Sequence, residues 1–328
     1  MKKAVRIFAI ILSIVLCTTL FAGCGGNGEK TLRIGIIQYA SHPSLDDCYN
    51  GVIKGIEEAG LKIGTDVTVT RQNAQASTET ADQIARNMVA TNYDIIIAIA
   101  TPAAISAYSA ARSSDIPVVF CAVSDPVSCE LVSSLEKPGA NCTGTSDLLN
   151  IEAQLKLIRA LQPEAKKIGI IYTTSEANSV SHLKTINQLS GEYGFEIIAQ
   201  GISSASDIPQ VAANLVTKVD CINNFTDNLV VDNLGILLEQ AETAGIPVYG
   251  SEIDQVKNGC LASESLDYVA LGVTTGKMAA DILRGGDASV TPVAVVKDSY
   301  PVINGKVAER LNITVPDEYA AKAEMIAD

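Results

Sequence analysis

The strongest constraint on the fold is a strand–helix–strand pattern that begins near residue 95. An apolar run, Ile95–Ala100, ends at Thr101, and a second apolar run, Ile116–Ala122, ends near Ser124. Short β-branched runs with a helix between them, at about Ala103–Arg112, predict a βαβ unit of a parallel sheet. Ligands of open α/β sheets bind at the carboxyl ends of such strands. We therefore expect half of a small-molecule site at this edge.

The pattern around this unit occurs twice. Residues 165–172 (AKKIGIIY) echo residues 31–39 (TLRIGIIQY), and each segment is followed by a polar loop and a helix. A repeat of about 130 residues is too long for a solenoid and fits two similar α/β lobes. The fold class predicted is α/β, with two doubly wound parallel-sheet lobes joined by hinge crossovers. The predicted domains are residues 31–146 plus 250–290 for the first lobe and residues 147–249 plus 291–328 for the second.

Individual elements follow from the same periodicity. Strands are predicted at Leu32–Gln38 and Val67–Asn73, where β-branched residues alternate or run together. One continuous helix is predicted over Leu229–Ala244. Residues 140–147 (ANCTGTSD) are polar and contain glycine, which favours a crossover between the lobes.

The N-terminus is predicted to be a targeting segment. Basic residues at positions 2, 3 and 6 precede the apolar run Ile7–Leu16, and small residues lead to Cys24. This order is typical of a secretory signal, here residues 1–23. The sequence Ala-Gly-Cys resembles a bacterial lipobox, which predicts lipidation of Cys24 and a linker over residues 24–30. An ordinary signal peptide with an unmodified cysteine is the alternative.

Composition excludes several classes of function. A net charge of −13 without a basic cluster argues against a nucleic-acid partner. No Cys/His spacing suggests a metal site, so neither metal nor cofactor is predicted. Nucleophile-elbow, Walker A and dinucleotide-binding motifs are absent from the sequence, and we predict that the protein is not an enzyme. The cysteines in apolar strands, such as Cys121 and Cys221, are expected to be buried free thiols.

Several segments spread over nearly the whole chain carry a resemblance to one known family. They are 42–60 (HPSLDDCYNGVIKGIEEAG), 72–77 (QNAQAS), 99–104 (IATPAA), 120–127 (FCAVSDPV), 141–147 (NCTGTSD), 168–180 (IGIIYTTSEANSV), 226–228 (TDN) and 256–283 (VKNGCLASESLDYVALGVTTGKMAADIL). Together these segments resemble the ABC transporter substrate-binding lipoproteins of the periplasmic-binding-protein-like type I fold, whose characterised members bind aromatic amino acids. The resemblance implies an amino acid such as tryptophan, phenylalanine or tyrosine as ligand. It also implies an extracytoplasmic monomer that is anchored to the membrane by lipid and delivers solute to a permease and its ATPase.

An α-amino acid needs donors for its carboxylate. In the first lobe we expect these from Thr101, the backbone around Ala103, and Ser124. In the second lobe we expect them from the helix start between Ser175 and Asn178. The alternative for Thr101 and Ser124 is that they only cap helices.

The ammonium group needs a carboxylate and the side chain needs an apolar wall. Asp227, Glu252 and Asp125 are the carboxylate candidates, although Asp227 would also suit the N-cap of the following helix. Tyr39 and Phe225 are the aromatic candidates for the wall. Gln38 is expected to be their polar partner.

Two alternatives in function stay open at this point. One keeps the fold and binds a nucleoside or another small polar solute. The other is a ligand-sensing module whose closed form is presented to a receptor. In both alternatives the site lies between the lobes.

Overall fold

The computed structural model describes residues 31–296 and 298–326. It is an α/β structure in which short strands alternate with helices. Strands Leu32–Gln38 and Val67–Asn73 have the predicted bounds. The strands are β1 (Leu32–Gln38), β2 (Val67–Asn73), β3 (Ile95–Ile99), β4 (Val118–Cys121), β5 (Cys142–Ser146), β6 (Lys167–Thr173), β7 (Glu196–Ile202), β8 (Cys221–Asn223), β9 (Val248–Tyr249), β10 (Ala262–Ser265), β11 (Ala294–Val295), β12 (Tyr300–Asn304) and β13 (Glu324–Ile326).

The helices cover the faces of the sheets. None of those in the described ranges is both long and apolar enough to span a bilayer. They are α1 (Pro43–Glu58), α2 (Thr78–Ala90), α3 (Thr101–Ala111), α4 (Ile151–Leu161), α5 (Ala177–Leu189), α6 (Ile208–Leu215), α7 (Asn228–Asp232), α8 (Leu234–Ala244), α9 (Ile253–Lys257), α10 (Tyr268–Leu283), α11 (Gly305–Arg310) and α12 (Asp317–Ala320).

The first sheet is parallel and has the strand order β11-β5-β4-β3-β1-β2. Its central strand β3 is buried along its whole length, as expected for a strand that is covered by helices on both faces. One hydrophobic core surrounds this sheet and includes residues of α10. We call residues 32–147 and 268–296 the first lobe.

The second sheet is also parallel, with the order β7-β6-β8-β9. The strands β10, β12 and β13 form a smaller sheet beside it, since Leu261 donates its backbone N–H to Val248 and Gly250 donates to Ala262. Separate hydrophobic clusters pack around these strands. We call residues 149–265 and 300–326 the second lobe.

The segments that return to each lobe differ from the predicted ones. Residues 250–265 were expected in the first lobe, but β10 extends the strands of the second lobe. Residues 291–296 were expected in the second lobe, but β11 pairs with Thr145 and Ser146 in the first sheet. Both segments are short and irregular in sequence, so the pairing partner is decided by tertiary contacts rather than by local pattern.

Two predicted elements are wrong. Residues 142–146 form strand β5 rather than a crossover. The Thr143 hydroxyl donates to the Thr291 carbonyl, and the hydroxyls of Thr145 and Thr275 bond to each other, all within the first lobe. Gly144 permits close packing, since an added Cβ would lie 2.0 Å from the Phe120 carbonyl oxygen. The helix predicted over Leu229–Ala244 is broken at Asn233. There the side-chain amide donates to the Leu229 carbonyl and competes with the helical backbone.

Close packing of α1 against α10 brings the N-termini of both helices to the same side of the first sheet. A Cβ at Gly51 would lie 2.2 Å from the Val269 carbonyl oxygen, and one at Gly272 would lie 2.2 Å from that of Cys48. Only glycine permits this approach. The two helices therefore present His42 and Tyr268 near the carboxyl ends of the strands. The cysteines between residues 48 and 260 are free, and all but Cys129 are buried, as predicted for Cys121 and Cys221.

Candidate ligand-binding site

A cavity lies between the two lobes, at the carboxyl ends of the strands of the first sheet. The first lobe contributes His42, Ser44, Leu45, Ala100, Thr101, Ala122, Ser124, Asp147 and Tyr268. The second lobe contributes Asn178, Thr226, Asn228, Val231, Glu252 and Gln255.

Three neighbouring strands supply the polar floor of the cavity. Thr101 follows β3, Ser124 follows β4 and Asp147 follows β5. These strands are adjacent in the sheet, so their ends are separated by about 5 Å per strand. A hydroxyl, a second hydroxyl and a carboxylate are thus arranged in a row.

The backbone at the start of α3 is in an unusual conformation. Ala100 has φ 79° and ψ 153°, and Ala122 at the end of β4 has φ 57°. Such conformations cost free energy for a residue with a Cβ and tend to occur at ligand-binding sites. Within the described residues, no side chain caps α3 and the buried hydroxyl of Thr101 has no hydrogen-bond partner. The N-terminus of this helix is therefore open to an anion.

Asp147 is a buried carboxylate held by two hydroxyl groups. Ser124 donates to one oxygen and Tyr268 to the other, each over 3.0 Å. Burial raises the pKa of Asp147 because the charged form loses water, while the two donated bonds oppose this effect. A cationic group in the cavity would stabilise the ionised form.

Glu252 is the second carboxylate in the lining. Its oxygens accept from the backbone N–H groups of Asp254 and Gln255, so that it caps α9, and the Ser44 hydroxyl also bonds to it. Burial, together with the nearby charge of Asp254, raises the pKa of Glu252 to about 7. In the part of the chain that the structure describes, the residues that line the cavity include two carboxylates and no Lys or Arg.

Glu176 lies behind the second-lobe wall and orients two asparagine side chains. Its carboxylate accepts from the side-chain amides of Asn178 and Asn228 and from the backbone N–H groups of Asn228 and Leu229. Burial raises its pKa to about 7, with a contribution from Asp227. Since the amide nitrogens point to Glu176, the amide oxygens of Asn178 and Asn228 point away from it.

Four of the residues predicted from sequence line the cavity. They are Thr101 and Ser124 from the first lobe and Asn178 and Glu252 from the second. Ala103 is in the first turn of α3 but its side chain is buried in the core of the first lobe.

Asp227 is not in the cavity lining. Its carboxylate caps α7 and accepts from Val230, from Ser179, and from both the backbone and the hydroxyl of Thr173. These bonds occupy a fully buried group, and the N-cap alternative is the one that the structure supports. Phe225 also lies in the core, where its ring centre is 5.4 Å from that of His182.

The other predicted site residues also lie outside the cavity. Tyr39 donates its hydroxyl to the Ala76 carbonyl, and the side chain of Gln38 donates to Ala40 and Asp46. Asp125 and Ser175 line a separate groove at the edge of the interlobe boundary. In that groove Asp125 accepts a hydrogen bond from Ser181 of the second lobe.

Sequence reasoning missed several lining residues, among them His42, Asp147, Asn228, Gln255 and Tyr268. Asp147 follows a strand that was interpreted as a crossover, and recognition of the strand would have placed it beside Ser124. His42 precedes the proline that opens α1, so its position at a helix start was visible. Nothing in the local pattern indicates Gln255 or Tyr268. Within the described residues, no group of three or more His, Cys, Asp or Glu side chains could hold a metal ion.

The two parallel-sheet lobes are joined by three crossovers, and a polar cavity lies between them. This arrangement defines a bilobal solute-binding protein of the periplasmic binding protein type I architecture. Residues 33–326 match the family of ABC transporter substrate binding proteins, and the chain belongs to this family. Proteins of this family are binding proteins rather than enzymes and act outside the cytoplasm, as predicted.

Relatives cover nearly the whole chain. A tyrosine-binding protein of Clostridioides difficile is 37% identical over 95% of this chain and 94% of its own length. A Streptococcus pneumoniae ABC domain solved in complex with L-Trp is 34% identical, with a TM-score of 0.88 over 90% of this chain and 100% of that chain. A ligand-free, open substrate-binding protein with adhesive properties from Clostridium difficile is 36% identical, with a TM-score of 0.69 over 90% of this chain and 99% of that chain.

Proposed function

We propose that this protein binds an α-amino acid with an aromatic side chain in the interlobe cavity and passes it to an ABC permease. One observation carries the proposal: the unpartnered Thr101 hydroxyl at an uncapped helix N-terminus lies one strand from Ser124 and two strands from the Asp147 carboxylate. An anion site and a cation site this close match the carboxylate and ammonium groups of one amino acid.

The carboxylate of the ligand accepts from Thr101 and from the free N–H groups at the start of α3. The ammonium group is held by Asp147, with Glu252 as the second carboxylate of the lining. Among the described residues, no Lys or Arg lines the cavity, so a ligand that brings its own positive charge is favoured. The charged ligand replaces the water that these buried groups lose on closure.

The aromatic side chain packs against the apolar part of the cavity. Leu45 and Ala100 of the first lobe and Val231 of the second form this part. The ligands named for the two relatives, tyrosine and L-tryptophan, support this choice of side chain. A rigid ring buried between aliphatic side chains gains contact area at low cost in conformational entropy.

Binding is coupled to closure of the lobes. The chain is more similar to the complex with L-Trp than to the ligand-free, open relative, although the two identities are nearly equal. We therefore take the described arrangement to be the closed one. In it His42 contacts Asn228, and Ser181 donates to Asp125, across the interlobe boundary. The ligand promotes closure because it binds the closed form more tightly than the open form.

The anchor and the transport partners are part of the same proposal. Cys24 and the predicted signal peptide lie outside the described residues, so the lipid anchor is supported only by the sequence around Cys24. Delivery to a permease and its ATPase is supported by family membership. Incorporation of radiolabelled palmitate into the wild-type chain but not into Cys24→Ser would test the anchor.

The binding proposal is tested by calorimetry with ligand analogues that each lack one group. We expect L-tyrosine, L-tryptophan or L-phenylalanine to bind, whereas tyramine lacks the carboxylate and 3-(4-hydroxyphenyl)propionate lacks the ammonium group, and both should bind weakly. Asp147→Asn should weaken binding of the amino acid by about 2–5 kcal/mol and that of the deaminated acid much less.

Asp125→Asn is the matched control, because this carboxylate lies outside the cavity. Its effect on the amino acid and on the deaminated acid should be equal. Binding of nucleosides without binding of amino acids would contradict the proposal.

A further inference from the structure

A hydrogen-bond chain runs from Glu176 through Asn228 to His42 and crosses the boundary between the lobes. The Asn228 amide nitrogen lies 2.6 Å from a Glu176 oxygen, and the same carboxylate accepts from two backbone N–H groups at the start of α7. Asn228 therefore presents its amide oxygen to the other side. That oxygen lies 3.3 Å from Nε2 of His42.

This chain determines the tautomer of His42. An amide oxygen can only accept, so Nε2 of His42 must carry the proton. Burial lowers the pKa of His42, which keeps the imidazole neutral near pH 7. In a neutral imidazole with a protonated Nε2, Nδ1 has a lone pair and accepts. Nδ1 is buried and has no hydrogen-bond partner among residues 31–296 and 298–326.

A buried acceptor without a partner is costly, unless a ligand supplies the donor. His42 is in the cavity lining, near the apolar residue Leu45. It follows β1, whereas Asp147 follows β5, and these strands are three positions apart in the sheet. His42 lies four residues beyond the last residue of β1, at the start of α1. In the proposed binding mode the ammonium group is held at Asp147 and the carboxylate at Thr101, and the side chain extends toward His42.

We propose that His42 is a specificity-determining residue, which accepts a hydrogen bond from the aromatic side chain and so selects rings with an O–H or N–H donor over an unsubstituted phenyl ring. The inference rests on the proposed function and deepens it. Phenol and indole satisfy Nδ1, whereas the phenyl ring of phenylalanine leaves it buried and unpaired. Glu176 acts through Asn228 as a positioning residue.

The first test compares the affinities of the full chain for L-tyrosine, L-tryptophan and L-phenylalanine by calorimetry. We expect phenylalanine to bind roughly 10- to 100-fold more weakly than the better of the other two, as for loss of one hydrogen bond to a buried group. Equal affinities for all three would overturn this inference and leave the proposed function intact. Failure of all three to bind would overturn both.

Three variants separate selectivity from structure. In His42→Leu the preference for a donor should disappear or reverse, while phenylalanine should still bind. His42→Asn keeps an acceptor oxygen near the position of Nδ1 and should keep part of the preference. In Glu176→Gln the new side chain can donate as well as accept, so the Asn228 amide is free to turn. The preference for tyrosine over phenylalanine should therefore fall, although no residue of the cavity lining is replaced. An equal loss for tyrosine and phenylalanine in His42→Leu would mean that His42 contacts the ammonium group, and would overturn the inference.

Nitrogen-15 NMR tests the tautomer without reference to affinity. The chain has two histidines, His42 and His182, so the imidazole signals can be assigned with one variant. We expect His42 to be protonated at Nε2, and we expect its Nδ1 resonance to shift when tyrosine binds but not when phenylalanine binds. The His182 signals should not move. A proton on Nδ1 in the free protein would overturn the inference.

Discussion

Thr173 donates both its backbone N–H and its hydroxyl to the carboxylate of Asp227, over 2.6 and 2.8 Å. The two residues join the end of β6 to the start of α7 inside the second lobe. Ser179 and Val230 donate to the same carboxylate. Asp227 therefore stabilises the second-lobe edge of the cavity from behind, and no oxygen is left to meet a ligand directly.

Replacement of this carboxylate should act on stability first. Asp227→Ala leaves several buried donors without an acceptor, and we expect the free energy of unfolding to fall by at least about 3 kcal/mol. Urea unfolding of the ligand-free chain measures this. Asp232→Ala, an exposed carboxylate on the same short helix, is the control and should change stability by less than about 0.5 kcal/mol. A stable Asp227→Ala variant that has lost only ligand affinity would contradict the assignment.

The conformation of Ala100 gives a second prediction. Its φ and ψ are typical of glycine, so Ala100→Gly should relieve backbone strain of about 1–3 kcal/mol. The greater conformational freedom of glycine in the unfolded chain offsets about 0.5–1 kcal/mol of this gain. We expect the variant to be more stable than the wild type by about 1 kcal/mol. The control is Ala110→Gly in the last turn of α3, which should lose up to about 1 kcal/mol. A loss at both positions would show that Ala100 is not strained.

The sequence was sufficient for the fold class and for the edge of the first sheet at which the cavity lies. Two apolar runs predict strands β3 and β4, and the residues that follow these strands, Thr101 and Ser124, line the cavity. Strand β5 was missed because threonine and glycine replace the apolar residues, and Asp147 was missed with it. Asp227 lies outside the cavity lining because its carboxylate is buried and accepts hydrogen bonds within the second lobe, which the sequence pattern does not show.

Local pattern could not supply the second-lobe wall. Glu176 and Asn228 are far apart in the sequence and meet only through the packing of α5 and α7. The contact between His42 and Asn228 joins residues from different lobes. Such pairs depend on the arrangement of whole elements, and a single sequence without an alignment does not encode them in any short motif.

The buried glutamates predict how stability depends on pH. Burial raises the pKa of both Glu176 and Glu252 from an ordinary value of 4.5 to about 7. At these two groups the folded chain therefore binds protons more tightly than the unfolded chain, whereas burial lowers the pKa of His42 and of His182 and acts in the opposite direction below about pH 6.5. The stability from the two glutamates is fully present below about pH 4.5 and is lost as the pH rises through about 7. Each group contributes up to about 3 kcal/mol to this change.

Urea unfolding of the ligand-free chain between about pH 5 and pH 8 measures the effect. We expect the free energy of unfolding to decrease with pH over this range, and to decrease less in Glu252→Gln. Glu239→Gln, an exposed site on α8, should follow the wild-type curve. An identical pH dependence in Glu252→Gln and the wild type would mean that Glu252 does not titrate in this range.

The hydrogen bond between Ser181 and Asp125 predicts the rate at which ligand leaves. The two side chains lie on different lobes, 2.9 Å apart, and neither lines the cavity, so that their bond stabilises only the closed form. Ser181→Ala should destabilise closure by about 1 kcal/mol, which corresponds to roughly fivefold faster dissociation. Stopped-flow fluorescence with an aromatic amino acid measures the rate. Ser175→Ala, at an exposed position of the same groove, should leave it unchanged. Because Asp125→Ala removes the same bond, the double variant should dissociate no faster than either single one, and additive effects would show that the two residues act independently.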